Sequence, residues 1–131
     1  DDNLLVPVIK DVDKKSIIQL AKDIKQITEL AREKKLTPQH YSGAGFTVTS
    51  LGKLGGVFAT PVVNHPQISI LGVHKISIRP VYIGDIIEPR NIMNLSLTSD
   101  HRVIEGDYAA NFLHDVIKYL QNPKLLVEYL M

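Results

Sequence analysis

Two long stretches of this chain carry a helical period, and they bracket a centre that carries none. Ile17, Ala21, Ile24, Ile27, Leu30 and Ala31 form one apolar stripe, and Ala109, Phe112, Leu113, Val116, Ile117 and Leu120 form another. Between them, short alternating or apolar runs are cut by glycine and proline, the pattern of strands joined by turns. Residues Leu4 to Ile9 read as a further short strand, with Pro7 marking an edge. The order β, α, several β, α predicts an α/β fold, a mixed sheet with helices packed on one face.

Local signals place the boundaries. Asp13 is expected to cap the first helix, Lys22, Asp23, Lys25, Gln26 and Glu29 to face water, and Arg32, Lys34 and Lys35 to meet the negative end of its dipole before Pro38. Glycines 43, 45, 52, 55 and 56 surround an alternating strand from Phe46 to Thr49. Further extended segments are expected at Val57 to Val63, Ile68 to Val73 and His74 to Val81, with a turn at Tyr82 to Asp85. Ile86 to Pro89 then leads toward a strand at Asn91 to Leu97. The second helix is predicted from about Asp107 to Leu120, and Asn122-Pro123 caps a short last one, Lys124 to Leu130.

A chain of 131 residues suits one domain. Its 15 basic and 14 acidic side chains leave no basic excess to displace counterions, so nucleic acid is not expected as a partner. With no cysteine, disulfides, thiolate metal sites and thiol nucleophiles are excluded. No apolar run approaches the ~18 residues of a membrane span, and no membrane partner is expected. The opening Asp1-Asp2-Asn3 runs directly into LLVPVI, which reads as a segment of a larger protein whose first strand awaits a neighbour.

Chemistry is best supported at the stretch TSDHRVIEG, where an apolar strand stops and a helix begins. His101 stands at that switch, flanked by Asp100 and Arg102, with Glu105 four residues on and Gly106 after it. The other histidines, 40, 65, 74 and 114, have no such context, no pair has the spacing of a local metal site, and no metal is expected.

The run LSLTSDHRVIEG resembles the signature of the dihydrolipoyl acyltransferases, the core components of 2-oxo acid dehydrogenase complexes, whose usual form is His-Arg-x-x-Asp-Gly. VPVIKDVDKKSIIQLAKDI, GFTVTSLGKLGG and ATPVVNHPQISILGV resemble the same family in the same order, as does the 52-residue interval from Thr49 to His101. The resemblance implies a chloramphenicol acetyltransferase-like fold that forms trimers with active sites between subunits. It implies that residues 1–131 are the C-terminal part of one acyltransferase catalytic domain, without lipoyl or subunit-binding domains, and inactive as a segment alone.

The implied reaction moves an acyl group between S-acyl-dihydrolipoyl and coenzyme A, the lipoyl group being carried on a separate domain. A free thiol of pKa ~8.5 is mostly protonated at neutral pH, so a base must take its proton. The resemblance gives that role to His101 and gives the oxyanion to Thr49, where the family more often has serine. Strand alternation sends the neighbouring Ser50 to the opposite face. Glu105, in place of the usual aspartate or asparagine, is given a supporting role, and Arg102 that of an ion pair or carbonyl partner fixing the loop. The implied partners are further copies, as a homotrimer and a cage-like core, the lipoyl domain, and the decarboxylase and dihydrolipoyl dehydrogenase components. The implied setting is a prokaryotic cytoplasm, with a mitochondrial matrix as alternative. Two other readings are a non-catalytic structural core subunit and a free-standing acetyltransferase acting on a diffusible alcohol. Arg102 and the LSLTSD lead-in argue against the latter. The motifs are shared by acetyl, succinyl and branched-chain members and do not select among them.

Overall fold

The computed structural model describes residues 4–52 and 55–129, so Lys53-Leu54 of the glycine-flanked turn and Leu130 of the expected last helix lie outside the described residues. The chain divides into two compact units, Asp1–Ala44 with His114–Met131, and Gly45–Leu113.

In the first unit, α1 (Ile17–Arg32) is capped by Ser16, not by Asp13. Ser16 Oγ accepts from the Gln19 N–H and the Gln19 side chain accepts from the Ser16 N–H, so two orphan donors are satisfied reciprocally. Asp13 falls instead in a single 3-10 turn, Val12–Lys14. The helix also turns its stripe slightly from the expected one: Ile17, Leu20, Ile27 and Leu30 are partly covered, whereas Ala21 and Ile24 are exposed. Asp23, expected in water, is half-buried and holds Lys15 Nζ at 2.6 Å. Lys34 follows in the left-handed region at φ 57°. Leu4 to Ile9 forms no strand; its Val8 N–H donates to the His40 carbonyl (2.8 Å), and Pro7 has no N–H to give a ladder.

The second unit is built on a three-stranded mixed sheet of β1 (Thr47–Ser50), β2 (Ser69–Val73) and β5 (Leu95–Ser99), in the order β1-β2-β5. β1 runs parallel to β2 and β5 antiparallel to it. Among the described residues β3 (Ser77–Ile83) and β4 (Ile86–Ile92) pair only with each other, as a hairpin turning at Gly84-Asp85, where Gly84 takes φ 61°. Tyr82 and Ile83, expected in the turn, are strand residues, and the expected single strand Asn91 to Leu97 is split by Met93-Asn94 between β4 and β5. Both differences follow from pairing, since the hairpin partner and β2 capture the two parts separately.

The covered apolar centre of the sheet is Ile70 and Leu71 on its middle strand. One sheet face carries Ser69, Leu71, Leu97 and Ser99, and against it lies the start of α2 (Gly106–Gln121), with Phe112 tilted on Phe46 at 5.7 Å between ring centres. The opposite face carries Thr47, Thr49, Ile70, Gly72, Ser96 and Thr98. The segment Val57 to Val63 reaches that face without becoming a strand. It is held by side chains: Asn94 Nδ2 donates to the Val57 carbonyl (3.0 Å) and Ser96 Oγ to the Ala59 carbonyl (2.8 Å). A proline at position 61 could not donate to a ladder in any case. Pro123–Tyr129 forms a 3-10 helix where a short α-helix was expected.

Ile70 and Leu71 are the only buried apolar side chains among the described residues, while Leu4, Val62 and Ile78 are 91%, 86% and 74% exposed. That much open apolar surface calls for covering chain. Residues 1–131 produced alone are therefore expected to bind a hydrophobic dye strongly and to elute as aggregates in size-exclusion chromatography; a monodisperse, dye-silent monomer would contradict it.

Candidate active site

The three residues singled out by sequence fall at two places in the second unit. Thr49 is on β1, half-buried on the same face as Thr47, and pairs across the ladder with Gly72, which pairs in turn with Ser96. Ser50 turns to the other face and is exposed, and its hydroxyl accepts from the Gly52 N–H (3.1 Å), which ties it to the local turn.

His101 and Glu105 share the turn between β5 and α2. The Asp100 N–H continues the sheet by donating to the Ile68 carbonyl (2.8 Å), and the Asp100 carbonyl then accepts from Val103 and Ile104, both at 3.0 Å. Chain direction reverses there, leaving His101 exposed at the corner. Gly106 sits beside its ring: a Cβ at that position would stand 3.8 Å from His101 Nε2. Glu105 is exposed, immediately before α2, and its carbonyl accepts from the Ala109 N–H (3.1 Å).

Asp100 and Arg102 clamp the corner. Arg102 donates to the Asp100 carboxylate through its backbone N–H (3.0 Å), through Nε (3.0 and 3.1 Å) and through Nη2 (2.6 Å). Arg102 is thus the loop-fixing ion pair expected from sequence. The guanidinium hydrogen bonds, then the backbone N–H, hold the Asp100 carboxyl down to about 2, and Asp100 in turn raises Arg102.

Register shows what this chain can and cannot bring together. Thr49 and His101 lie on opposite sides of β2, so two strand spacings, roughly 10 Å, separate them across the sheet. Along the strands, Thr49 is level with Ser96, and from Ser96 to Ser99 alone is about another 10 Å. Within one chain, therefore, Thr49 and His101 do not meet at one reacting carbon. The apolar cleft of about 240 Å³ beside α2, lined by Phe46, Ile68, Leu97, Ile104, Tyr108 and Phe112 among others, includes neither residue.

Sequence reading missed a second polar cluster on the Thr49 face. His74 is only 7% exposed, and its Nε2 lies 2.5 Å from Ser96 Oγ. No local motif joins residues 22 apart; only the pairing of β2 with β5 does.

Comparison with known proteins decides the family. The model of the 2-oxoacid dehydrogenases acyltransferase (catalytic domain) family matches residues 1–128. The chain belongs to this family. It is 50% identical over 111 residues to the dihydrolipoyllysine-residue acetyltransferase component of the pyruvate dehydrogenase complex of Pseudomonas aeruginosa, covering 85% of this chain and 20% of that protein. Over 126 residues it is 40% identical to the lipoamide acyltransferase component of the branched-chain alpha-keto acid dehydrogenase complex of the same organism, covering 96% and 29%. The solved dihydrolipoamide acetyltransferase of Azotobacter vinelandii superposes with a TM-score of 0.89 at 46% identity, over 96% of this chain and 52% of that one. A truncated catalytic core of the 2-oxoacid dehydrogenase multienzyme complex from Thermoplasma acidophilum gives 0.82 at 40% identity, over 93% and 53%. The chain thus spans about half the length of these solved chains and about a fifth of the Pseudomonas acetyltransferase component. Its mixed α/β architecture is that of the family's catalytic cores.

The Asp100 clamp has a signed pH dependence. Because folding lowers this carboxyl from 3.8 to about 2, its contribution is complete above about pH 4 and is lost as pH falls through 2. In the complete catalytic domain, Arg102→Ala should lower the melting temperature at pH 7, and the gap to the parent should close between pH 4 and pH 2. A gap that persisted unchanged at pH 2 would contradict the clamp.

Proposed function

We propose that the complete protein transfers an acyl group between a dihydrolipoyl thioester and coenzyme A, with His101 as general base, Thr49 as oxyanion donor, and each active site shared by two subunits. The observation that carries the shared site is the register: Thr49 and His101 are held apart within one chain, so both can serve one carbon only if they come from different copies. Membership of an acyltransferase family and likeness to the cubic core of a pyruvate dehydrogenase multienzyme complex support this reading. In the Azotobacter vinelandii enzyme, a serine, a histidine and an asparagine have been investigated for roles in catalysis. Their separations of 52 and 4 residues match those from Thr49 to His101 and from His101 to Glu105.

In the direction that makes acyl-coenzyme A, His101 takes the proton from the coenzyme A thiol as its sulfur adds to the thioester carbonyl. The exposed corner and the small Gly106 beside Nε2 leave room for the thiol to reach the ring. Negative charge then gathers on the carbonyl oxygen, where the Thr49 hydroxyl, fixed on a strand, donates to it without reorganising. The tetrahedral intermediate collapses with cleavage of the old carbon–sulfur bond, and the proton on His101 passes to the departing dihydrolipoyl sulfur. Glu105 supports the corner from the helix start, where its negative charge meets the positive end of the α2 dipole.

The chain is the C-terminal part of the catalytic domain in this reading, and the segment alone is inactive. Copies assemble as trimers within a cage-like core, in the cytoplasm of a bacterial cell. The lipoyl group arrives on a separate domain, and the decarboxylase and dihydrolipoyl dehydrogenase components attach through the full-length protein. Among the described residues, no helix is long and apolar enough to cross a membrane.

With acetyl-coenzyme A and dihydrolipoamide as substrates, His101→Ala in the complete domain should lower the rate at least ~10²-fold with assembly intact, the scale of a lost general base. Activity within a few-fold of the parent would remove His101 from that role. Thr49→Val should lower kcat with little change in KM, on the scale of ~2.7–4 kcal/mol for a lost oxyanion donor, and Thr49→Ser should retain most activity. Mixed trimers of Thr49→Val and His101→Ala subunits should regain activity, because some interfaces unite an intact threonine with an intact histidine. Verified mixed trimers with no recovery would place each site within one chain.

A further inference from the structure

In the ladder row of Thr49, Gly72 and Ser96, the last two are covered by a segment that two side-chain hydrogen bonds hold, from Asn94 Nδ2 to the Val57 carbonyl and from Ser96 Oγ to the Ala59 carbonyl; the second continues to His74. Ser96 Oγ donates its only hydrogen to the Ala59 carbonyl, so toward His74 it can only accept. That fixes His74 as the donor through Nε2–H, and it orders a three-member chain from ring to hydroxyl to backbone. The ring is buried, with Phe58 tilted against it at 6.3 Å between ring centres.

Space beneath the segment is already taken. A Cβ on Gly72 would stand 2.9 Å from both Pro61 Cγ and Ser96 Oγ, and 3.3 Å from His74 Cε1. Pro61 therefore rests directly over Gly72, the glycine that pairs with Thr49 and shares its sheet face.

We infer that His74 and Ser96 are positioning residues for acyl transfer: by latching Ala59, they hold Pro61 against the Thr49 row and so fix the wall against which the acyl carbon is placed. The inference rests on the reading of Thr49 as the oxyanion donor. An oxyanion donor works only when the developing charge forms within hydrogen-bond reach, and displacement by about 1 Å can cost on the order of 10²-fold in rate. A loosened wall therefore shows in kcat.

The test uses the complete, assembled catalytic domain with acetyl-coenzyme A and dihydrolipoamide as probes. His74→Phe keeps the ring and removes the donor, Ser96→Ala removes the relay, and His74→Gln restores an N–H donor. His74→Phe and Ser96→Ala should each lower kcat about 10-fold, the double variant should lose no more than either single one, and His74→Gln should recover most of the rate. Amide hydrogen exchange at residues 57–63 should rise in the two damaging variants and return toward the parent in His74→Gln. Unchanged kcat, unchanged exchange, or losses that multiply in the double variant would overturn the latch. Should His74→Phe fail to assemble, the comparison of Ser96→Ala with His74→Gln decides alone. Thr49→Val is assayed beside them: if it is harmless, the oxyanion reading falls, whereas if it is costly and the latch variants are not, the latch alone falls.

Discussion

Everything chemical in the second unit is placed by β2. Its five residues pair with β1 in parallel and with β5 antiparallel, so a single strand sets the register of the Thr49 strand and of the strand that ends at His101. Because side chains alternate, that register also sorts the two faces. Thr49, Gly72 and Ser96 share one, and Leu71, Leu97 and the contacts to α2 share the other. A slip by one residue would send the Thr49 hydroxyl to the helix side and replace it with Ser50.

The same pairing holds the proposed base and oxyanion donor apart. A chain that needed both at one carbon would place them on adjacent strands, or at the same ladder level. Here β2 stands between them and the corner carries His101 beyond the ladder, which is the separation that the proposed shared site rests on. The extent of uncovered apolar side chain points the same way, since Ile78, Tyr82, Ile86 and Ile87 of the β3–β4 hairpin are all exposed.

Rigidity at the corner comes from polar groups. The Asp100 carboxylate, carbonyl and N–H are all bonded, to Arg102, to Val103 and Ile104, and to Ile68. His101 is thereby displayed on backbone held at both sides while its ring stays exposed. The opposite treatment is given to His74, whose ring is buried and committed to Ser96. The two histidines are thus held in opposite settings, one exposed at a corner and one buried against a hydroxyl.

The sequence by itself determined the two helices, the strand-rich stretch between them and the strand-to-helix switch at His101, because hydrophobic period and glycine–proline punctuation are local properties. It also determined that Thr49 and Ser50 face opposite ways, a consequence of strand alternation, and the residues at and around His101 carried the family. Tertiary structure decided what local signals cannot encode. It denied Leu4 to Ile9 and Val57 to Val63 a strand, since no described ladder pairs with them, and it moved the α1 cap from Asp13 to Ser16, where Gln19 could complete the box. Pairing with β4 carried β3 through Tyr82 and Ile83, and pairing with β2 set where β5 begins. His74 and Ser96 met only because β2 and β5 are neighbours; their contact is long-range, and a long-range contact is created by the pairing of strands, not by any pattern along one of them.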